Sequence, residues 1–142
     1  METEPVSTPY EMIGGEAGVR ALVGRFYELM DTLPEAAACR AIHPDDLSGS
    51  AEKLFEYLTG WLGGPPLFVE RRGPPMLRRR HLHVPIAGAE IDGWLLCFMR
   101  AWDECVSDQP ELTGMVLPQV HNLAQHMRNR EEAGGSDARL GG

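Results

Sequence analysis

Residues 76–102, MLRRRHLHVPIAGAEIDGWLLCFMRAW, decide the fold that we expect for this chain. A run of three arginines leads into His81, an irregular link through Pro85 and Gly88 follows, and an amphipathic helix then carries Trp94 on its apolar side. A neutral imidazole can bind iron through one ring nitrogen while a backbone carbonyl fixes the N–H of the other. The stretch is therefore typical of a metal-ligating histidine followed by the wall of a pocket.

Helical periodicity extends through most of the rest of the chain. Apolar residues recur at intervals of three and four positions, the spacing of one helical face, in four segments. These faces comprise Val19, Leu22, Val23, Phe26 and Met30; Ala51, Leu54, Phe55, Leu58, Trp61 and Leu62; Ile91, Trp94, Leu95, Phe98 and Trp102; and Leu112, Met115, Val116, Val120, Leu123, Ala124 and Met127. No internal repeat or strand-like alternation of useful length is present. The sequence predicts an all-α domain in which four long helices cross in two layers around a pocket.

Glycine and proline mark the expected ends of the earlier helices. Residues 10–13 are expected to form a short helical turn, after which Gly14 and Gly15 permit a tight corner. Residues 35–42 predict a short helical piece and residues 43–46 a turn. The second long helix should stop at the Gly-Gly-Pro sequence of residues 63–65.

Proline shapes the second half in two further places. Residues 66–75 contain three prolines and one glycine, which predicts a loop. In the last helix, Asp108 and Glu111 have capping-box spacing at the start, and Pro118 should kink the helix or divide it in two.

Composition restricts the classes of function. The 142 residues suffice for one domain, and 43% hydrophobic with 24% charged residues is ordinary for a globular protein. A net charge of −8 argues against nucleic-acid binding and against binding to an anionic membrane. No apolar run is long enough to span a bilayer, and the N-terminus lacks the pattern of a signal peptide, so we expect a cytoplasmic protein.

The boundaries of the domain and the state of the cysteines follow from the same composition. We expect residues 1–9 to be a disordered N-terminal arm, residues 10–130 to form the domain, and residues 131–142 to be a disordered tail. Cys39, Cys97 and Cys105 have no zinc-site spacing, and the last two are too far apart on one helix to be bridged. We interpret all three as packed or reduced thiols.

Taken together, five motifs resemble the truncated haemoglobins of group II. They are RFY at residues 25–27, HPDDL at residues 43–47, GGP at residues 63–65, LRRRH ending at His81, and Trp94 thirteen residues later. Their order and separations carry the resemblance, which extends from about residue 10 to about residue 130. It implies a truncated globin fold, a two-over-two helical sandwich around a haem pocket.

The resemblance also implies a role for each site residue. The cofactor would be haem b, with His81 as the iron ligand. The remaining expectations are a distal ligand pocket of Tyr27, His43, Ser50, Leu54 and Trp94, propionate partners Arg80 and Lys53, and haem contacts Phe26 and Phe98. Within this set, His43 is expected to stack on the haem face and to donate to the ligand network.

The residues alone leave other interpretations open. Tyr27 could be a ring at the edge of the core with its hydroxyl in water, His43 a solvent-exposed turn residue, and Trp94 a simple core residue. His83 competes with His81 for the ligand role, although on a helix the two would point in nearly opposite directions. The resemblance, which aligns the arginine run, implies His81 as the ligand and His83 as a residue of the exit loop.

The implied function is the binding of dioxygen and of other diatomic ligands, NO and CO, with dioxygen held by hydrogen bonds and released slowly. An alternative is a nitric oxide dioxygenase or a peroxidase-type detoxification enzyme, which would need a separate reductase. A third hypothesis is a helical interaction module that has kept the fold and lost haem. We expect a monomer or a homodimer with no nucleic-acid or membrane partner.

Overall fold

The computed structural model describes residues 7–82, 84–106 and 108–129, and in these ranges the chain is helical with no strand. The helices are α1 (Pro9–Met12), α2 (Gly15–Thr32), α3 (Ala37–Ala41), α4 (Ser48–Trp61), α5 (Leu67–Arg72), α6 (Leu77–Arg80), α7 (Gly88–Cys105) and α8 (Pro110–His126), with a 3-10 turn at Pro34–Ala36 before α3. The prediction of an all-α fold with four long helices is confirmed.

Helices α2, α4, α7 and α8 form two layers. Helix α2 packs against both α4 and α7, and α7 packs against α8 and the short helix α3. The apolar face predicted for α2 is buried, with Val19, Leu22 and Phe26 fully excluded from solvent. Between α7 and α8, the indole N–H of Trp102 donates to the hydroxyl of Thr113 at 2.8 Å.

The N-terminal end of the fold begins before residue 10. The Thr8 hydroxyl accepts a hydrogen bond from the Glu11 amide at 3.1 Å, and the Glu11 carboxylate accepts one from the Thr8 amide. This capping box starts α1 at Pro9, so Thr8 and Pro9 belong to the helical structure and not to the expected arm. Residues 1–6 and the expected tail at residues 131–142 lie outside the described residues.

The segment predicted as a loop, residues 66–75, contains helix α5. The prediction was wrong because the prolines lie outside the six residues Leu67–Arg72, whose own amides are all available for helical hydrogen bonds. Pro66 occupies the N-cap, and Gly73 ends the helix at a φ of +82°. A short helix therefore fits between proline boundaries.

Three expectations about α8 can be compared with the structure. Of the two alternatives for Pro118, division of the helix is ruled out, since α8 runs through the proline with buried Val116 and Val120 on either side of it, while a kink stays a prediction. The capping box is absent because Asp108 adopts a φ of +60° and Gln109 takes the N-cap position without a side-chain hydrogen bond. Met115, assigned to the apolar face, is 50% exposed.

The remaining sequence expectations can be checked directly. All three cysteines are free thiols, with Cys39 and Cys97 buried and Cys105 exposed. Among the described residues, no helix combines the length and the apolar character that crossing a membrane requires.

Candidate functional site

A cavity of about 490 Å³ lies between α3 and α4 on one side and α6, α7 and α8 on the other. This volume falls within the range of about 300–1,000 Å³ that is typical of cofactor and ligand sites. Eight of the ten predicted site residues line it: Tyr27, His43, Ser50, Lys53, Leu54, Arg80, His81 and Trp94. Residues from separate helices are thus brought to one cavity.

His81 follows directly after α6 and is held by the backbone of that helix. Its Nδ1 lies 2.7 Å from the carbonyl oxygen of Leu77, four residues earlier. Because a carbonyl can only accept, Nδ1 carries a proton, and in the neutral form of the ring the lone pair then lies on Nε2. This is the tautomer that a metal-ligating histidine needs, with the ring orientation fixed by a carbonyl.

His43 shows the same arrangement at another point of the cavity wall. Its Nδ1 lies 2.8 Å from the carbonyl oxygen of Cys39, and its ring meets that of Tyr27 edge-on at 5.9 Å between centroids. Burial lowers the pKa of His43, the hydrogen bond to the Cys39 carbonyl partly opposes this, and the neighbouring Arg40 and His81 lower the pKa further. The neutral ring therefore presents an acceptor at Nε2, whereas we had expected a donor.

Tyr27 and Trp94 bring two hydrogen-bond donors to the cavity. Tyr27 is only 9% exposed, and burial raises the pKa of its hydroxyl well above the ordinary value, so the O–H keeps its proton. Trp94 is half-buried on α7, and its indole N–H can only donate. Tyr27 is buried more deeply than the edge-of-core position suggested.

Phe26 and Phe98, the predicted haem contacts, are not among the residues that line the cavity. Both are buried one layer behind it. Phe98 stacks on the Trp94 ring at 5.4 Å, and Phe26 meets the Trp94 ring edge-on at 5.2 Å. Helical periodicity assigned them to the correct face, but Trp94 and Tyr27 stand between them and the cavity. They support its wall instead of forming it.

Lys53 and Arg80 place positive charge at the border of the cavity, and both are exposed. Arg80 is already held in place by its own loop, because its Nη2 donates to the carbonyl oxygens of Arg72 at 2.9 Å and Pro74 at 2.8 Å. Its guanidinium also lies 5.1 Å from the centre of the Phe68 ring. The propionate role of both residues stays a prediction.

Two further residues hold the segment that carries His81, and the sequence analysis missed them. Glu56 is a nearly fully buried carboxylate on α4 that accepts hydrogen bonds from Arg72 at 2.5 Å and from Arg71 at 3.1 Å, which ties α5 to α4. Asn129, just beyond α8, binds the loop that follows His81. The position of Glu56 among the apolar residues of α4 could have indicated a buried charge with a partner. The sequence around Asn129 contains no such indication.

The donor set restricts what kind of metal centre is possible. Within residues 7–82, 84–106 and 108–129, no group of three or more histidine, cysteine, aspartate or glutamate side chains could hold a metal ion. His83, the competing candidate, lies outside the described residues. An oriented histidine such as His81 in a largely apolar cavity suits a metal whose other ligands come from a macrocycle.

Comparisons with known proteins agree with this geometry. The family model for bacterial-like globins matches residues 8–129. The group 2 truncated haemoglobin YjbI of Bacillus subtilis is 40% identical over 127 residues, which cover 89% of this chain and 92% of that protein. The solved group II 2-on-2 haemoglobin of Agrobacterium tumefaciens is 61% identical, with a TM-score of 0.86 over 93% of this chain and 100% of the other. The structure of a truncated, oxygen-avid haemoglobin from Bacillus subtilis is 39% identical, with a TM-score of 0.77 over 87% of this chain and 100% of the other.

Proposed function

Because the chain belongs to the bacterial-like globin family, as a group II truncated haemoglobin with the two-over-two fold, we propose that it binds haem b through His81 and holds O2, NO or CO beside Tyr27 and Trp94. Oxygen binding with a haem cofactor is the function of this family. The assignment of ligands, residues and kinetics to this chain is the proposal.

The hydrogen bond from His81 Nδ1 to the Leu77 carbonyl is the observation that carries the proposal. It fixes the tautomer and the direction of the ring, so that Nε2 can bind iron without a rearrangement of α6. Ferrous haem supplies an open coordination position for a diatomic gas. Arg80 and Lys53, which line the cavity, would form charge-assisted hydrogen bonds with carboxylates at the edge of the cofactor.

The polar side chains of the cavity favour a ligand that carries partial negative charge. Tyr27 and Trp94 can each donate a hydrogen bond, and Ser50 could supply a third donor from α4. A hydrogen bond to a charged acceptor contributes about 1.5–3 kcal/mol, which corresponds to about a ten- to hundredfold slower dissociation. We therefore expect tight binding and slow release of O2, a property in line with the description of the Bacillus subtilis relative as oxygen-avid.

A second candidate function is detoxification of nitric oxide or peroxide with electrons from a separate reductase. The observation that favours it is the uneven distribution of charge. Residues 70–80 contain five arginines and one glutamate in a chain whose net charge is −8. This basic segment borders the cavity through Arg80 and would attract an acidic electron-donor protein. Turnover of NO or peroxide with a supplied reductant separates this function from simple binding.

The experiment that tests the proposal is a visible spectrum of the protein supplied with haem, recorded in the ferric state, after reduction and after addition of O2. We expect a Soret band that shifts at each step. His81→Ala should lose haem on gel filtration while circular dichroism shows an unchanged helix content. His121→Ala on the exposed side of α8 is the matched control and should behave as the parent protein.

Two results would contradict the proposal. A parent protein without a Soret band would favour the interaction module that has lost haem. An unchanged spectrum in the His81→Ala variant would show that another residue holds the iron.

A further inference from the structure

We propose that Asn129 is the positioning residue for the iron ligand, fixing His81 from the end of α8, an inference that rests on the haem-binding function proposed above. His81 is 48 residues away along the chain, and the contact is made through the backbone of the loop that follows the histidine. The argument starts from the weakness of the local structure around His81.

Helix α6 is too short to orient His81 by itself. It has four residues, and the chain enters it through Pro74 and Pro75 and through Met76, which adopts a φ of +41°. A single turn of helix is marginal in water because its nucleation is unfavourable and few hydrogen bonds offset the lost entropy. The position of the His81 ring must therefore depend on anchors outside α6.

Arg80 is the anchor on the entry side. Its two hydrogen bonds to the carbonyl oxygens of Arg72 and Pro74 close the segment that connects α5 to α6. Helix α5 is in turn tied to α4 through Glu56, which binds the side chain of Arg72. The chain before His81 is thus connected to a long helix.

Asn129 is the anchor on the exit side, and it uses every polar group of its amide. Its Nδ2 donates to the carbonyl oxygens of His81 at 3.1 Å and Val84 at 3.0 Å, while its Oδ1 accepts from the Ile86 amide at 2.9 Å. Its backbone amide donates to the Ile86 carbonyl, also at 2.9 Å. Both N–H groups and the oxygen of the side-chain amide are thus engaged, with three different neighbours.

The result is that His81 is fixed at two points. Its ring is held by Leu77 within α6, and its carbonyl is held by Asn129 from outside α6. Helix α8, which precedes Asn129, also lines the cavity through Leu123 and Ala124. One element therefore contributes both to the cavity wall and to the direction of the iron ligand.

The chemistry of the contact makes asparagine specific at this position. An aspartate would keep the acceptor for Ile86 but would lose both donors and bring a negative charge against two carbonyl oxygens. An alanine would remove all three side-chain hydrogen bonds. Because both changes act on the loop after His81, they should alter the bond between Nε2 and iron and not only the stability of the fold.

The test compares Asn129→Asp and Asn129→Ala with the same substitutions at Asn122, an exposed asparagine on α8. The first measurement is the iron–histidine stretching band in the resonance Raman spectrum of the ferrous, ligand-free protein. The second is the rate of haem transfer to excess apomyoglobin. In both Asn129 variants we expect a shifted or broadened band and about tenfold faster haem loss, equivalent to about 1.4 kcal/mol. Both Asn122 variants should match the parent protein.

The possible failures are distinguishable. A parent protein that takes up no haem overturns the proposed function and this inference with it. A parent protein with haem, and Asn129 variants with an unchanged band, overturns the inference alone, even if their unfolding midpoint is lower. If the variants do not fold, hydrogen exchange of the Asn129 side-chain amide in the parent protein decides: slow exchange supports the contact, and exchange as fast as that of Asn122 refutes it.

Discussion

Replacement of Tyr27 by phenylalanine should accelerate the release of O2 and leave the fold intact. The Tyr27 ring is 9% exposed and packs edge-on against Phe26 at 4.8 Å and His43 at 5.9 Å between centroids. Phenylalanine retains these ring contacts and removes only the hydroxyl, which is the donor offered to the cavity. The change therefore isolates the hydrogen bond from the packing.

The expected magnitude follows from the protonation state of the hydroxyl. Burial raises the pKa of Tyr27, so the O–H is present at neutral pH, and its full contribution is lost in the variant. A hydrogen bond to a partly charged acceptor contributes about 1.5–3 kcal/mol. If this contribution is made only to the bound state, the dissociation rate of O2 rises about ten- to hundredfold.

The assay is stopped-flow displacement of O2 by excess CO, with Tyr57→Phe as the matched control. Tyr57 also lines the cavity, but its ring meets Phe68 of α5 at 6.1 Å instead of His43. We expect the control to change the rate less than twofold. A rate in Tyr27→Phe within threefold of the parent value, with the Soret band unchanged, would refute the assignment of Tyr27 as a donor to the ligand.

Two further predictions concern stability. Glu56→Gln should lower the free energy of unfolding by about 2 kcal/mol at pH 7, because a charged acceptor for Arg72 is lost. Arg72 lowers the pKa of Glu56 in the folded state, so the stabilising contribution of the carboxylate is fully present above about pH 4.5, the ordinary pKa, and disappears as the pH falls through the lowered value. Urea unfolding at pH 7 and pH 3 should show that the parent protein and the variant differ less in their free energy of unfolding at pH 3. An equal difference at the two pH values would contradict this. Gly93→Ala should destabilise by about 1 kcal/mol, because a Cβ there would lie 3.1 Å from the Ala36 Cα in the 3-10 turn and 3.1 Å from the Cys39 Cβ on α3. The matched control is Gly114→Ala on α8, where the added Cβ meets open space, and this variant should be more stable by about 0.5–1 kcal/mol. If the thermal unfolding midpoints of the two variants moved in the same direction, the packing argument would be contradicted.

The long helices and their buried faces were predictable because helical periodicity records burial directly. Residues such as Leu22 and Leu58 occupy positions that only a solvent-excluded face would fill, and both are buried. Part of the cavity wall could also be predicted, since the motifs that carry the resemblance hold Tyr27, His43 and His81. Periodicity does not report depth within a layer, so it could not show that Phe26, on the predicted face of α2, is absent from the residues that line the cavity.

The contacts that hold the His81 segment could not be predicted from the sequence. Helix α5 is bounded by prolines whose number suggested a loop, and only their placement outside the helix permits it. The pairing of Asn129 with the loop after His81 joins residues that are far apart in the chain, and a single asparagine carries no periodic or spacing signal. Such long-range polar contacts are specified by the folded backbone and not by any local pattern.

The two histidines of the cavity bear on how one pocket would combine the proposed iron ligand with hydrogen-bond donors. His81 and His43 are each held by the carbonyl four residues earlier, so Nδ1 of each ring carries a proton, and in the neutral form of each ring Nε2 is the atom with the lone pair. The hydrogen-bond donors must then be groups that keep their proton near neutral pH. Two side chains of the cavity satisfy this condition: Tyr27, whose pKa is raised by burial, and the indole of Trp94. Because burial lowers the pKa of His43, its ring stays an acceptor in the same pH range. Burial and backbone contacts therefore determine which groups accept hydrogen bonds in the cavity, the two histidines, and which donate them, Tyr27 and Trp94. Near neutral pH these roles require no change of charge inside the cavity.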